Sequence, residues 1–359
     1  MHIVYPVLVV FIFGCGRFHQ SPFVLQSGSC DPQGIPFGGG KGLQSDPFLV
    51  CQNSQWNALK TLGNTVNWVS LRDDIDAASE PLEMIPDWPG HLEGNFHAVL
   101  NHSASLPLFD GIQGSIKNLF VDHVSIESQS EEVGALARRV ENGGEIENIS
   151  VIGSVTSTLN YVGGVVGRNF GILTNIMFDG EVSGRSKVGG IAGANFGVLN
   201  RVGSAGMVGG SLDDVGGLLG FQQGGKLLLG TGEALTSGMN NVGGIIGLSQ
   251  DARIENSYAK SIVNGTSQIG GLIGSVLESV LFFCYASTDL NASVGVSGGL
   301  VGVMSGGGVT SSYWDLSKHL SSAAGEGRLP SELKLQSTFV DWDFNVIWLI
   351  GKDGMPDLY

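Results

Sequence analysis

Proline is missing from the whole stretch between Phe109 and Leu329, although this 359-residue chain has 11 prolines elsewhere. Proline removes a ladder N–H and is confined to sheet edges and bulges, so the gap marks a region whose backbone can stay continuously paired. Between Trp88 and Trp314 there is no tryptophan. Charge is scarce: 14% of residues are charged and 42% are hydrophobic, the reverse of a disordered chain. Lys and Arg never cluster, which excludes a nucleic-acid partner. The four cysteines form no Cys-x-x-Cys pair, which removes zinc-ribbon and thioredoxin-type chemistry.

Catalytic and cofactor signatures are also missing. Zinc proteolysis uses His-Glu-x-x-His on a helix; the nearest approach, His91-Leu-Glu-Gly-Asn-Phe-His97, has the wrong spacing and an internal glycine. Gly39-Gly-Lys-Gly42 lacks the Ser/Thr of a phosphate loop, and Gly230-Thr-Gly232 lacks the third glycine of a dinucleotide fingerprint. No aspartate follows glycine at a regular step, as calcium-binding repeats require. Asp74 and Asp76 share a strand face in Leu-Arg-Asp-Asp-Ile-Asp, the one arrangement that fits paired acids, and Asp213-Asp214 falls at a turn. No catalytic, cofactor-binding or metal-ligating residue is assigned.

The uncharged run Ile3 to Phe13 is too short to span a bilayer, which takes about 20 residues. It fits the core of a signal peptide over residues 1–15. Ile12-Phe13-Gly14-Cys15 resembles a bacterial lipobox, which implies lipidation of Cys15 and a membrane partner through that anchor. The n-region lacks Lys and Arg, and Phe13 is bulky for its place. Cys30 and Cys51 are the candidate disulfide in an oxidising compartment, while Cys284 reads as a small buried residue.

What is present is a repeat. The hexapeptide Val162-Gly-Gly-Val-Val-Gly167 recurs with its first glycine at Gly163, Gly189, Gly216, Gly243, Gly270 and Gly298, at intervals of 26, 27, 27, 27 and 28 residues. A worn copy, Val133-Gly-Ala-Leu-Ala-Arg138, precedes them. Asn118, Asn148, Asn175 and Asn256, each two residues after an aliphatic side chain, keep nearly the same step, as do Tyr258, Tyr285 and Tyr313. The aliphatic runs are short and bounded by Gly, Asn and Ser, which predicts strands. The fold class is therefore all-β: a β-solenoid of about seven to eight repeats of about 27 residues, one coil per repeat. Residues 16–45 read as a linker, 46–115 as an N-terminal cap with divergent first coils, 116–308 as the repeat solenoid and 309–359 as a C-terminal cap. Open solenoid ends expose sheet edges, so the six tryptophans outside the repeats read as cap cores. Both faces of Val-Gly-Gly-Ile-Ile-Gly carry an aliphatic residue, so either the strand is covered on both sides or the glycines let adjacent backbone close over it.

The Gly-Gly-aliphatic-aliphatic-Gly core followed by Asn-x-Gly, as in Gly167-Arg-Asn-Phe-Gly171 and Gly193-Ala-Asn-Phe-Gly197, resembles the GLUG-motif repeats of bacterial surface proteins. Ser45-Asp-Pro-Phe-Leu-Val50 before the array and Ser312-Tyr-Trp-Asp315 through Asp353-Gly-Met-Pro356 after it are similar to that family's flanks. The resemblance implies a β-solenoid at the cell surface, found in adhesin-like proteins and as a module of IgA-specific metalloproteases. Copies around Gly225 and Gly308 lack the Asn-x-Gly turn. The expectation from sequence is an exported outer-membrane or cell-surface lipoprotein with no cofactor. It is non-enzymatic, a structural or interaction protein of adhesin type with a glycan or protein ligand. The runner-up is a carbohydrate-active β-solenoid enzyme, a polysaccharide lyase or hydrolase.

Overall fold

The computed structural model describes residues 29–359, so Cys15 and the signal-peptide segment lie outside the described residues. Each repeat makes one coil. Val162, Val188, Val215, Val242, Ile269 and Ser297 pair in succession, all parallel. A 27-residue step returns the chain to the same register, and that keeps every side chain on its own face. A coil contributes a short strand such as Val188–Gly189, a second such as Ala192–Asn195, and a long one such as Val198–Gly210. These stack into three parallel sheets around one apolar core.

Coiling begins earlier than the clean motifs. Phe48–Val50 pairs with Trp68–Leu71, which pairs with His91–Glu93, which pairs with Ser115–Ser128. The solenoid thus reaches about nine turns, because the divergent first coils expected within residues 46–115 stack in register ahead of the glycine repeats. The worn copy is in register as well, with Val133 opposite Val162 and Ala137 opposite Val166.

The glycines resolve the two-faced apolar strand. Val165 and Val166 are both fully buried. A Cβ on Gly167 would meet the backbone of Glu132 and Val133 at 2.5 and 2.6 Å, and one on Gly163 would meet Cα of Ala192 at 2.7 Å. Real Cβ atoms are not tolerated at such separations, so glycine lets one backbone layer lie directly on another. The motif asparagines add a buried amide chain. Asn169 Nδ2 donates to Asn195 Oδ1 at 2.7 Å, and Asn195 Nδ2 to Gln222 Oε1 at 2.8 Å. Asn169 Oδ1 also accepts the Gly171 N–H at 3.0 Å, which is why the motif reads Asn-x-Gly. In the copy that lacks the asparagine, Gln222 extends the chain and reaches the Gly224 carbonyl at 2.7 Å, while Gly224 and Gly225 adopt φ of 58° and 59°.

The N-terminal end is sealed. Gly38 and Gly39 pair with Leu49 across the first strand, Trp56 of the helix Asn53–Ala58 plugs the core against Phe109, and Cys30 is bonded to Cys51. At the other end Glu326–Arg328 pairs with Tyr313–Asp315. The chain beyond does not continue the stack; it turns back and lies along the flank of the solenoid.

Candidate functional site

The acids singled out from sequence are structural. Asp74 Oδ1 accepts the Ala98 N–H at 2.8 Å and lies 3.3 Å from His97 Nδ1. Asp76 Oδ1 accepts from Asn101 Nδ2 at 2.9 Å and the Ala78 N–H at 3.0 Å; these bonds hold its carboxyl below the usual range. Asp214 occupies a left-handed turn (φ 62°) and pairs with Lys187 at 3.2 Å. His91 stacks on Trp68 and its Nδ1 lies 2.8 Å from Ser115 Oγ, while His97 faces Asp74. Among the described residues no three His, Cys, Asp or Glu side chains converge on a common metal position. Cys284 is fully buried in the core and desolvation pushes its thiol up to about 12.

The most elaborate arrangement on the solenoid surface is a corner of the long strands. Asn118, Asn148, Asn175, Arg201, Leu229, Asn256, Phe283 and Ser311 all take positive φ there, between 42° and 57°. Asparagine tolerates this conformation better than most residues, which explains the recurring asparagine. Its amides also chain outward: Asn148 Nδ2 donates to Asn118 Oδ1 at 2.7 Å and Asn175 Nδ2 to Asn148 Oδ1 at 2.9 Å. Two residues past the corner runs an outward column in strict register: Phe120, Ser150, Met177, Gly203, Thr231, Tyr258, Tyr285 and Tyr313. The three tyrosines form the ladder that their spacing indicates. Their neighbours Ser257, Cys284 and Ser312 are buried on the other side.

The tyrosines are buried too, because residues 330–359 cover them. Leu333, Phe339, Trp342, Trp348 and Leu358 form a second apolar cluster with the ladder. This strap is pinned by polar contacts to corner residues: Trp348 Nε1 to Asn256 Oδ1 at 3.1 Å, Trp342 Nε1 to the Ser311 carbonyl at 2.8 Å, and Arg201 to the Tyr359 carbonyl at 2.6 Å. Lys260 pairs with Asp353 at 3.0 Å. The Tyr258 hydroxyl lies 2.7 Å from Asp357 Oδ1 and 3.2 Å from Glu233 Oε1. Desolvation, the largest cause, raises the carboxyl of Glu233 above its ordinary value. Sequence reasoning placed Trp342 and Trp348 in an end cap. The signal for the flank was there: an outward tyrosine column and an aromatic-rich tail.

Upstream of the strap the same strip is uncovered. Phe120 is 41% exposed and Phe96, whose ring lies 6.2 Å away, is 49% exposed.

The M26 IgA1-specific metallo-endopeptidase N-terminal region matches this chain over residues 86–153. That span runs from the divergent early coils into the long strand Glu145–Ser157 and includes Phe96, Phe120 and Asn148. A crystal structure of a protein from Bacteroides ovatus, described as a candidate immunoglobulin A1 protease, is similar at 19% identity. Its TM-score is 0.55, with 90% of this chain and 95% of that one covered. At that identity the likeness speaks to the fold, and it supports the β-solenoid. A search of curated proteins gave no match. The expectation that the chain is not an enzyme is overturned by the metallo-endopeptidase match. The missing acid pair bears only on glycan-cleaving chemistry. In a metallopeptidase the chemistry belongs to a few metal-binding residues and not to the fold as a whole.

Proposed function

We propose that this chain works in proteolysis as the solenoid region of a metallo-endopeptidase of the M26 type, engaging a polypeptide substrate of the immunoglobulin class. The observation that carries this is the match over residues 86–153 to the N-terminal region of those enzymes. The described residues offer no fit for a zinc ion, since His91 and His97 have separate partners and no third ligand joins them. No hydrolytic step is therefore derived through them, and the part assigned to the solenoid is substrate engagement. The GLUG-like repeats and the lipobox-like stretch ending in Cys15 support a place for it at the cell surface.

The test is direct. Purified chain is incubated with immunoglobulin A1 and, as a control, immunoglobulin G. Binding is followed by surface plasmon resonance and heavy-chain fragments by gel, with and without a zinc chelator. Saturable binding selective for immunoglobulin A1, or chelator-sensitive fragmentation, supports the reading; neither would remove it. Cys15→Ser should release the protein from the membrane fraction if the lipid anchor is real; unchanged fractionation would refute the anchor.

A further inference from the structure

The corner strip is one continuous surface of which the strap covers only the downstream half. Over the covered coils, corner residues Arg201, Leu229, Asn256, Phe283 and Ser311, with the column Tyr258, Tyr285 and Tyr313, meet an extended aromatic segment. Over the uncovered coils the same positions are Asn118, Asn148 and Asn175 with Phe120, Ser150 and Met177. Asn175 ends the outward amide chain: its Nδ2 donates to Asn148, and the next corner residue is Arg201, which has no amide to offer it in turn. Its Oδ1 is therefore the counterpart of the Asn256 Oδ1 that accepts the indole of Trp348.

The strip carries acids on both halves: Glu233, under the strap, shares the Tyr258 hydroxyl with Asp357. The covered half presents Arg201 and Lys260, which hold the Tyr359 carbonyl and Asp353 of the strap. The uncovered half presents Asp122, Asp179 and Glu181 on the same long strands. Asp122 faces His123 at 3.1 Å, and Asp179 and Glu181 make no salt bridge among the described residues. With Asp179 and Glu181 lacking a cation partner among the described residues, an occupant that carries Lys or Arg complements this half.

We infer that the uncovered corner strip, from Phe96 and Phe120 to Met177 and Asn175, binds an extended polypeptide segment that carries an aromatic side chain next to Lys or Arg. The aromatic ring lies on Phe120 and Met177, a side-chain or main-chain N–H is accepted by Asn175 Oδ1, and the cation pairs with Asp179 and Glu181. The strap is the intramolecular example of an aromatic segment held on this strip. This deepens the reading of the chain as a substrate-engaging region and rests on it only for the identity of the polypeptide.

The experiment uses a random peptide library displayed on phage and selected on the full chain, so it does not depend on immunoglobulin. Enriched sequences should contain Trp, Tyr or Phe within a few residues of Lys or Arg. Their synthetic versions should bind at least ten-fold more weakly to Phe120→Ser and to the double variant Asp179→Asn, Glu181→Gln. Both changes are on the surface, and circular dichroism should be unchanged. Binding should also fall with salt, as a charge-assisted contact does. Failure to enrich any aromatic–basic sequence, or enriched peptides indifferent to both variants, would overturn the proposal. If such peptides bind here but immunoglobulin A1 does not, the strip stands and the immunoglobulin reading falls.

Discussion

The indole N–H of Trp348 donates to Oδ1 of Asn256 at 3.1 Å, across 92 residues of chain. Asn256 holds its left-handed corner (φ 49°) while its side chain serves the strap. Trp348 is fully buried beside Trp342 and Tyr258. Trp348→Ala should remove about 3–5 kcal/mol from strap docking, as for other buried large-to-small changes. Asn256→Ala should cost about 1 kcal/mol, the net worth of one hydrogen bond. Hydrogen exchange read across the strap, residues 330–359, should accelerate strongly in the first variant and weakly in the second. Equal protection in Trp348→Ala and the parent would show that the strap does not depend on this anchor.

Glu233 makes the strap sensitive to pH. Its folded pKa lies above the ordinary 4.5, so between the two values the folded protein binds more protons than the unfolded one. Stability from this group is therefore retained below about 4.5 and declines as pH rises through the raised folded value. Glu233→Gln keeps a partner for the Tyr258 hydroxyl and removes the charge near Asp357. At neutral pH the variant should be more stable than the parent, and the gap should close toward pH 4 in denaturant titrations. A variant less stable at pH 7 would contradict this sign.

The buried amide chain and an exposed one give a matched comparison. Asn195→Ala leaves Gln222 Oε1 without its donor, the Gly197 N–H without its acceptor and Asn169 Nδ2 with the Gly171 carbonyl alone, and should cost about 2 kcal/mol, since each unsatisfied buried group costs about 1–3 kcal/mol. Asn291→Ala deletes a bond of similar length to Asn264, 2.8 Å, on the surface, and should stay within about 0.5 kcal/mol of the parent. Similar urea midpoints for the two variants would show that burial does not set the value of these amides.

Removing one coil tests the register. Gly216 pairs with Gly243, so deleting residues 216–242 joins equivalent positions. The product should remain soluble and β-rich, with a modest loss of stability and loss of the Arg201 contact to the strap. Deleting residues 216–228 should instead turn core positions outward and produce aggregation. Circular dichroism and size-exclusion chromatography distinguish the two; identical behaviour would refute one coil per repeat.

The bond between Cys30 and Cys51, 21 residues apart, ties the N-terminal seal to the first coil. Cys51→Ser should lower stability by about 3 kcal/mol, the chain-entropy value for a loop of this length. Intact-mass measurement after alkylation without reductant should leave both thiols unlabelled in the parent. Labelling of both, or an unchanged denaturation midpoint in the variant, would count against a structural role.

The sequence by itself determined the coil. Near-equal spacing of Gly163, Gly189, Gly216, Gly243, Gly270 and Gly298 lets parallel strands return to register, and the tyrosine column follows from the same arithmetic. The Asn-x-Gly turn was legible because the asparagine caps the N–H two residues on. Divergent first coils were expected within residues 46–115, but their number was not legible, because they keep the alternation of buried positions without the glycine motif. Only the tertiary structure decided where the tail goes. Residues 330–359 have no repeat to impose a register, so their position is set by long-range burial of Trp342 and Trp348 on the tyrosine ladder. It also decided that Asp74 and Asp76 spend their oxygens on backbone and amide donors. A sequence can place two carboxylates on one strand, but what donates to them comes from residues brought close by the next coil.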